Sequence, residues 1–571
     1  MDFFCTFALT KDFIMRRTFL LFFLFLACTI MHAGDMKISE TQVLQAANAT
    51  GVGNADAPIL YFVLNVEGDG GDLFLEGVRL NLNGTTAAAN IDCLKVYAAN
   101  EAKDISSGLS DAMKLGSYSI SRKFPLDEDF DMKFPSSPFR LHPGVNRFFL
   151  VADVSGKAKE GHLIDAAVVG YHVRDEADNA AWMLPEKSGR PQYGTRIFLT
   201  ESTPAVPWTD GSHYWRIPAI ASAKKGRLVA VMDKRWDSNY DLPNNIDIVA
   251  CYSDDHGRTW SRRQTIAGTP ALGGDYGHGD PGIVYNHRNG DVLVIAVSRK
   301  GFFDSSPDDN ARIKLIVSHD NGETWEPPRD ITDQLYGSGC SDPVRSKWHG
   351  VFAASGAMMQ TRTGRLMTVL CVCETEKNYI TNYVAYSDDD GDSWKVCPDI
   401  VATGGDESKV VELADGRIMV SVRHRGGRFF NIATVDEAGE LHFGKQELCT
   451  ELLEPACNGD FIRYSMQQDG ARRNRLLHTI CHDASQRQNV SVFLSYDEGA
   501  SWTQAFKTLC PGGSAYSALT VLDDGTIGCF YEEDTERENG YEGFTLRFIR
   551  FSLSWLTDGK DREKKSLFRK R

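Results

Sequence analysis

The stretch SDDHGRTW (253–260) returns as SHDNGETW (318–325), SDDDGDSW (387–394) and SYDEGASW (495–502). All four copies spell Ser-x-Asp-x-Gly-x-Thr/Ser-Trp, so the chain is built from a repeated unit. Each copy follows an apolar run, as IKLIV precedes the second. The Asp-x-Gly core is turn chemistry: the Asp side chain accepts backbone N–H bonds, and Gly permits positive φ. The terminal Trp covers the turn and packs toward the sheet. Asp255, Asp320, Asp389 and Asp497 are therefore expected to lock hairpins rather than do chemistry. The copies start 65, 69 and 108 residues apart. The two shorter gaps imply one box per sheet unit, and the longer one a unit whose box has decayed. Residues 200–556 would then hold roughly six four-stranded blades of a β-propeller.

The rest of the chain is also strand and turn. In the repeat region, RLVAVMD, IDIVACYS, DVLVIAVS and FTLRFIRFSL alternate with period two and carry β-branched and aromatic residues, with no strong helical period. Residues 35–195 lack the box but show short runs such as APILYFVLNV and VNRFFLVADV, punctuated by Gly, Asn, Asp and Pro. They read as an antiparallel β-sandwich, carbohydrate-binding-like by analogy. The acidic run LDEDFD (126–131) lacks the glycine and terminal glutamate of a calcium loop and reads as a solvated loop. The fold class is thus all-β, a sandwich followed by a six-bladed propeller, with a basic tail at 557–571.

The N-terminus, residues 1–33, reads as an export signal. MRRTFLLFFLFLAC begins at Met15, a candidate start, with two arginines and then an apolar run too short for a membrane span. Two processing readings stay open: lipidation at Cys28 after FLAC, which would attach the protein to a membrane, or cleavage after MHA. Either places the protein outside the cytoplasm, as a periplasmic, outer-membrane-attached or secreted protein. The net charge of −15 argues against nucleic acid as a partner. Of 13 cysteines, Cys5 and Cys28 fall in the leader, and the remaining eleven are scattered, which argues against a disulfide scaffold. Cys371 and Cys373 share a strand face and read as buried.

The chemistry lies between the boxes. YWRIPAI (214–220) precedes the first one, and Arg216 followed by Ile-Pro is a tight signature there. Boxes preceded by Arg-Ile-Pro resemble the bacterial exo-acting sialidases, over about 202–556. The resemblance implies removal of terminal sialic acid from glycans by a monomer that needs no metal or organic cofactor. Sialic acid carries a carboxylate on its anomeric carbon, and sialidases hold it with three arginines, whose planar paired donors keep their charge. Arg216 matches the first. DESKVVELADGRIMVSVRHR (406–425) resembles the family segment that carries the catalytic glutamate and the second arginine, which implies Glu407 and Arg423. Arg487, before the last box, fits the third, with Arg463 and Arg475 as alternatives.

A carboxylate nucleophile would be repelled by the substrate's own, and sialidases use a neutral tyrosine instead. GGSAYSAL (512–519) resembles the family's tyrosine segment, implying Tyr516 as nucleophile with Glu407 as its base. Glu532 in the following CFYEED matches the carboxylate that orients the first arginine. DKRWDSNYDLPNNIDIV (233–249) offers Arg235 for the sugar's 4-hydroxyl and Asp241 as general acid/base, with Asp237 as the alternative. Asp280 in GHGDPGIV matches a second acidic position near the 4-hydroxyl or the amide. A trans-sialidase, including the intramolecular kind, shares these residues, and a sialic-acid lectin would lack the tyrosine or the glutamate.

Overall fold

The computed structural model describes residues 34–570, apart from 100–108, 110–111, 136–137, 187–191, 269–276, 376–378, 503–504 and 538–539. The export-signal reading, with Met15 and Cys28, falls outside the described residues. None of the described helices is long and apolar enough to cross a membrane.

The N-terminal part is a sandwich of antiparallel sheets. One orders Lys37–Gln45, Ala57–Glu67, Gly144–Val154, Ile91–Ala98 and Met113–Ser119, and the facing sheet centres on Leu73–Asn81 and Ala167–Asp175. Their inward residues make one core, with Phe62 stacked on Phe148 and Tyr171 packed beside them. In the acidic run, Asp131 pairs with Arg79 and Asp129 accepts from Asn81. The strand Thr195–Phe198 still pairs with Ala49–Gly51, whereas Thr200–Ala205 pairs with the propeller, so the chain passes from one unit to the other at Leu199.

The propeller has six blades among the described residues. Blade 1 runs from the hub outward as Tyr214–Ser222, Leu228–Arg235, Ile246–Ser253 and Gln264–Ala267, each pair antiparallel. Blades 2 to 5 repeat the plan, with hub strands His278–Tyr285, Gly350–Ala353, Ser408–Glu412 and Phe461–Ser465. Ala505–Val521 is the rim strand of blade 5 at its start and the hub strand of blade 6 at its end. Blade 6 continues through Ile527–Arg537 and Gly540–Phe551, and its outer strand is Thr200–Ala205, from before blade 1. This pairing ties the two ends of the ring together.

The boxes behave as turn locks. In blade 1, Asp255 accepts from Ser253 Oγ at 2.8 Å, Thr259 N at 2.9 Å and Thr259 Oγ1 at 2.7 Å, while Gly257 N donates to Ser253 Oγ at 2.9 Å. Asp389 and Asp497 repeat those contacts, and Asp320 makes the same set. Blade 4 holds the decayed copy. Between Gly427–Val435 and Leu441–Phe443, Asp436 still accepts from Glu440 N four residues on, at 2.9 Å, with Thr434 in place of Ser and buried Leu441 in place of Trp. Blade 6 has no box because its fourth strand comes from elsewhere in the chain.

Candidate active site

The register separates boxes from candidate site. Ser253 pairs with Leu228, and Leu228 with Ser222, so the first box shares a rim with the 223–227 turn. Arg216 pairs with Asp233 and Arg235 with Ile246 toward the opposite ends of the same strands, on the other rim. Arg216, Asp280, Glu407, Arg423, Arg487 and Tyr516 all belong to that other rim.

Local irregularity aims three of these groups. In blade 1 the register shifts between Arg216 and Ala219, and Ile217 takes φ 57°. A β-branched residue there is strained, and Pro218 has no N–H to give a ladder. The Arg-Ile-Pro signature is thus a bulge that turns Arg216 toward the hub. Blade 2 repeats the device: Asp280 takes φ 56° before Pro281, with a register shift between Gly279 and Gly282. In blade 6 the shift falls between Ser514 and Ser517 and carries Tyr516.

The residues converge on Tyr516. The Arg216 guanidinium lies 5.1 Å from its ring centroid, that of Arg423 5.9 Å and that of Arg487 5.4 Å. Arg423 Nη1 donates to the Tyr516 hydroxyl at 3.1 Å and also pairs with Glu407 Oε2, so one guanidinium bridges the phenol and the carboxylate. Asp406, not singled out from sequence, sits 3.3 Å from the same nitrogen. Phe544 lies against Arg216. Arg216 and Tyr516 are buried and Arg487 is exposed to solvent. The alternatives point elsewhere: Arg463 pairs with Glu498, and Arg475 with Asp561 and Glu563.

Glu532 is fully buried and takes three donors: Arg216 Nε at 2.6 Å, Ile217 N at 2.9 Å and Tyr516 N at 3.0 Å. It therefore fixes the arginine, its bulge and the tyrosine backbone together. Burial, and then the Glu407 charge, push the Tyr516 phenol well above its ordinary value, against the pull of Arg423, Arg487 and Arg216. The phenol is accordingly neutral, and a nucleophilic role would need a base.

A second cluster adjoins the first. Arg235 is buried between Asp233, at 2.9 Å, and Asp241, at 2.8 Å. The Asp241 side chain is 77% exposed on its loop, whereas Asp237 is exposed with no described contact to the cluster. Asp233 was missed from sequence. It also accepts the Asp280 N–H at 3.1 Å. Its spacing was a usable signal, since Asp233 and Arg235 are two residues apart and share a strand face. Burial raises the Asp233 carboxyl to about 7, against the pull of Arg235. Asp280 is raised well above the ordinary range by burial and by the charges of Asp233, Asp241 and Glu407.

None of these residues lines a cleft of about 1990 Å³ between sandwich and propeller, walled by residues such as Asn48, Tyr193, Arg258 and Gln488. The eleven described cysteines are all free, with Cys371 and Cys373 both buried.

Three comparisons place the chain among known proteins. A sialidase of Micromonospora viridifaciens is 30% identical over 377 residues, covering 64% of this chain and 55% of that protein. A sialidase of Bacteroides fragilis is 26% identical over 342 residues, covering 57% of this chain and 60% of that protein. The chain thus spans little more than half the length of these curated relatives. The solved structure of Hadza microbial sialidase Hz136 shares the fold, with a TM-score of 0.65 at 19% identity over 90% of this chain and 99% of that one. The profile of the BNR repeat-like domain matches residues 226–529, more than half of the sequence, and the chain belongs to that family.

Proposed function

We propose that this protein is a retaining exo-sialidase acting on terminal sialic acid of glycoproteins, glycolipids and oligosaccharides. The observation that carries the reading is the convergence of Arg216, Arg423 and Arg487 on Tyr516, with Glu407 against Arg423. Three guanidiniums around one phenol make a cationic pocket for a sugar carboxylate, and a neutral phenol is a nucleophile that such a carboxylate does not repel. The likeness to the Micromonospora sialidase supports the same assignment.

In this mechanism the arginines hold the carboxylate. Asp241, in its protonated form, gives its proton to the leaving glycosidic oxygen. Tyr516 Oη forms a bond to the anomeric carbon as its proton passes to Glu407. Asp241 then takes a proton from the incoming water, whose oxygen bonds to the anomeric carbon and displaces the Tyr516 phenolate; Glu407 returns its proton to the phenolate oxygen, and sialic acid leaves with retained configuration. Arg235 and Asp280 meet the sugar's 4-hydroxyl or amide side, and no step calls on a metal or organic cofactor.

The test is release of sialic acid from α2,3-, α2,6- and α2,8-linked substrates, with the product identified by mass spectrometry, for wild type and Tyr516→Phe. Free sialic acid from wild type, and a loss on the order of a hundredfold in the variant, are expected. Near-normal turnover by a folded Tyr516→Phe protein would sink the nucleophile assignment. An anhydro or transferred product would identify a trans-sialidase, and binding without turnover a lectin.

A further inference from the structure

The two oxygens of Glu407 have different partners. Oε2 meets Arg423, and Oε1 accepts from Ser355 Oγ at 3.1 Å. The contacts continue inward: Asn458 Nδ2 donates to Ser355 Oγ at 2.9 Å, and Lys409 Nζ donates to Asn458 Oδ1 at 2.7 Å. Ser355, Asn458 and Lys409 are all buried. Three consecutive blades supply them. Ser355 lies between Gly350–Ala353 and Gly356–Ala357, Lys409 lies two residues beyond Glu407 on Ser408–Glu412, and Asn458 precedes Phe461–Ser465.

Lys409 sets the direction of every bond. An ammonium group only donates, so Asn458 must turn its carbonyl oxygen to it. That leaves the amide N–H for Ser355 Oγ. The hydroxyl, having accepted there, gives its own proton to Glu407. All three bonds therefore run from a buried cation to a carboxylate, and aligned bonds of this kind polarise one another.

The surroundings keep the cation in place. Asp460 is fully buried, its oxygens accepting from Phe461 N at 3.1 Å and Leu519 N at 2.7 Å; burial lowers the Lys409 ammonium below its ordinary value, and the charges of Asp460 and Glu407 pull against that. A Cβ on Gly356, which sits at φ +99°, would come 2.8 Å from Lys409 Cε, so the glycine leaves room for this side chain. A hub needing only stability would be better filled with apolar side chains, because burying an ammonium is costly.

We propose that Lys409, Asn458 and Ser355 form a polarised hydrogen-bond chain that orients Glu407 and favours its charged form for taking the proton of Tyr516. These three are positioning residues, and the inference rests on the sialidase reading. The other charged or titratable groups around Glu407 are Arg423, Asp406, Tyr516, Asp280, Cys371 and Arg487 beyond Tyr516. Each is retained in the variants that test the chain.

The experiment is the pH profile of kcat/KM for wild type, Ser355→Ala, Lys409→Met and the double variant, with melting curves for each. Each single change is expected to move the acid limb up by about one pH unit, about tenfold in rate on the acid side. The double variant is expected to match the worse single one, because either change breaks the same chain. Independent, multiplying losses, or lowered melting with an unmoved acid limb, would overturn the chain and leave the sialidase reading standing. Ser355→Ala removes one oxygen and keeps the test alive if Lys409→Met fails to fold. Wild type without sialic acid release would overturn the sialidase reading instead. The chain is then judged by the infrared carboxylate band lost in Glu407→Gln: its titration moves to higher pH in Ser355→Ala, or the chain is refuted.

Discussion

Glu532→Gln is the change that most directly joins architecture to chemistry. The carboxylate serves Arg216, Ile217 and Tyr516 across the seam between blades 1 and 6. Gln can keep one oxygen toward Arg216 and Ile217. Its amide N–H₂ then faces the Tyr516 N–H, donor against donor. The ion-paired bond to the guanidinium, worth about 1.5–3 kcal/mol, weakens to one between the charged donor and a neutral amide oxygen, and a backbone bond worth about 1 kcal/mol is lost. Arg216, 8% exposed, also loses its counter-charge. The expected cost is about 3 kcal/mol, near the lower end for breaking a buried pair. Arg216 and Tyr516 would both shift, and small misplacements can cost about a hundredfold in rate. Denaturant unfolding gives the first quantity, and sialic acid release per folded molecule the second. Glu533→Gln is the control. The neighbouring carboxylate pairs with Arg547 and takes Asn48 N at 3.1 Å, away from the site. It should lose comparable stability and keep its activity. Equal activity losses in both variants, or a Glu532→Gln protein within about 1 kcal/mol of wild type and fully active, would refute the reasoning.

Asp255→Ala removes three hydrogen bonds from a partly exposed turn and should cost about 1–3 kcal/mol by denaturant unfolding, with sialic acid release by folded protein unchanged. Asp255 is itself a lowered carboxyl: burial opposes its charge, but bonds from Thr259 and Ser253 outweigh it, and the other three boxes behave alike. Groups held below their unfolded value stabilise the fold above about pH 4, and that gain is lost as pH falls through the folded value. Wild type should therefore lose stability faster than Asp255→Ala on acidification, as read by melting temperature. Asp241→Ala should slow poor leaving groups by about 10²–10⁴-fold and activated aryl leaving groups far less, and equal losses in initial-rate assays would move the acid role to Asp237 or elsewhere. Ending the chain at 557 strips Asp561 and Glu563 from fully buried Arg475 and Phe568 from the core, and should cost about 3–5 kcal/mol in denaturant unfolding.

The boxes and the two-residue alternation made the propeller legible, because both are local. Blade 4 was legible only as a gap, since Thr434, Ala438 and Leu441 replace the Ser, Gly and Trp of the pattern while Asp436 keeps the bond to Glu440 N. The strand that completes blade 6 could not be read at all. Thr200–Ala205 pairs with Gly540–Phe551 across more than 300 residues, and no local pattern announces it. The residues placed around Tyr516 were legible through motifs that match known segments. What surrounds them was not. Asp233 and Asp406 only head the stretches that carry Arg235 and Glu407, Ser355 and Asn458 stand in no motif, and contacts that place all four come from other strands or blades.

Strain explains why the motifs lie where they do. A hub strand with perfect register would alternate its side chains along the blade faces. The bulges at Ile217, Asp280 and Tyr516 break that alternation on a single rim, on three blades. Two of them place a non-glycine residue at positive φ before a proline, a conformation that costs about 1–3 kcal/mol and persists only when its surroundings enforce it. Glu532 does so for Ile217, and Asp233 for Asp280, each by accepting the strained residue's own N–H. The same carboxylates hold Arg216 and Arg235. One buried acid per bulge thus stabilises the irregular backbone and aims the arginine beside it. The box turns hold the opposite rim with short-range bonds of their own, so a rim under strain and a rim under lock belong to the same strands.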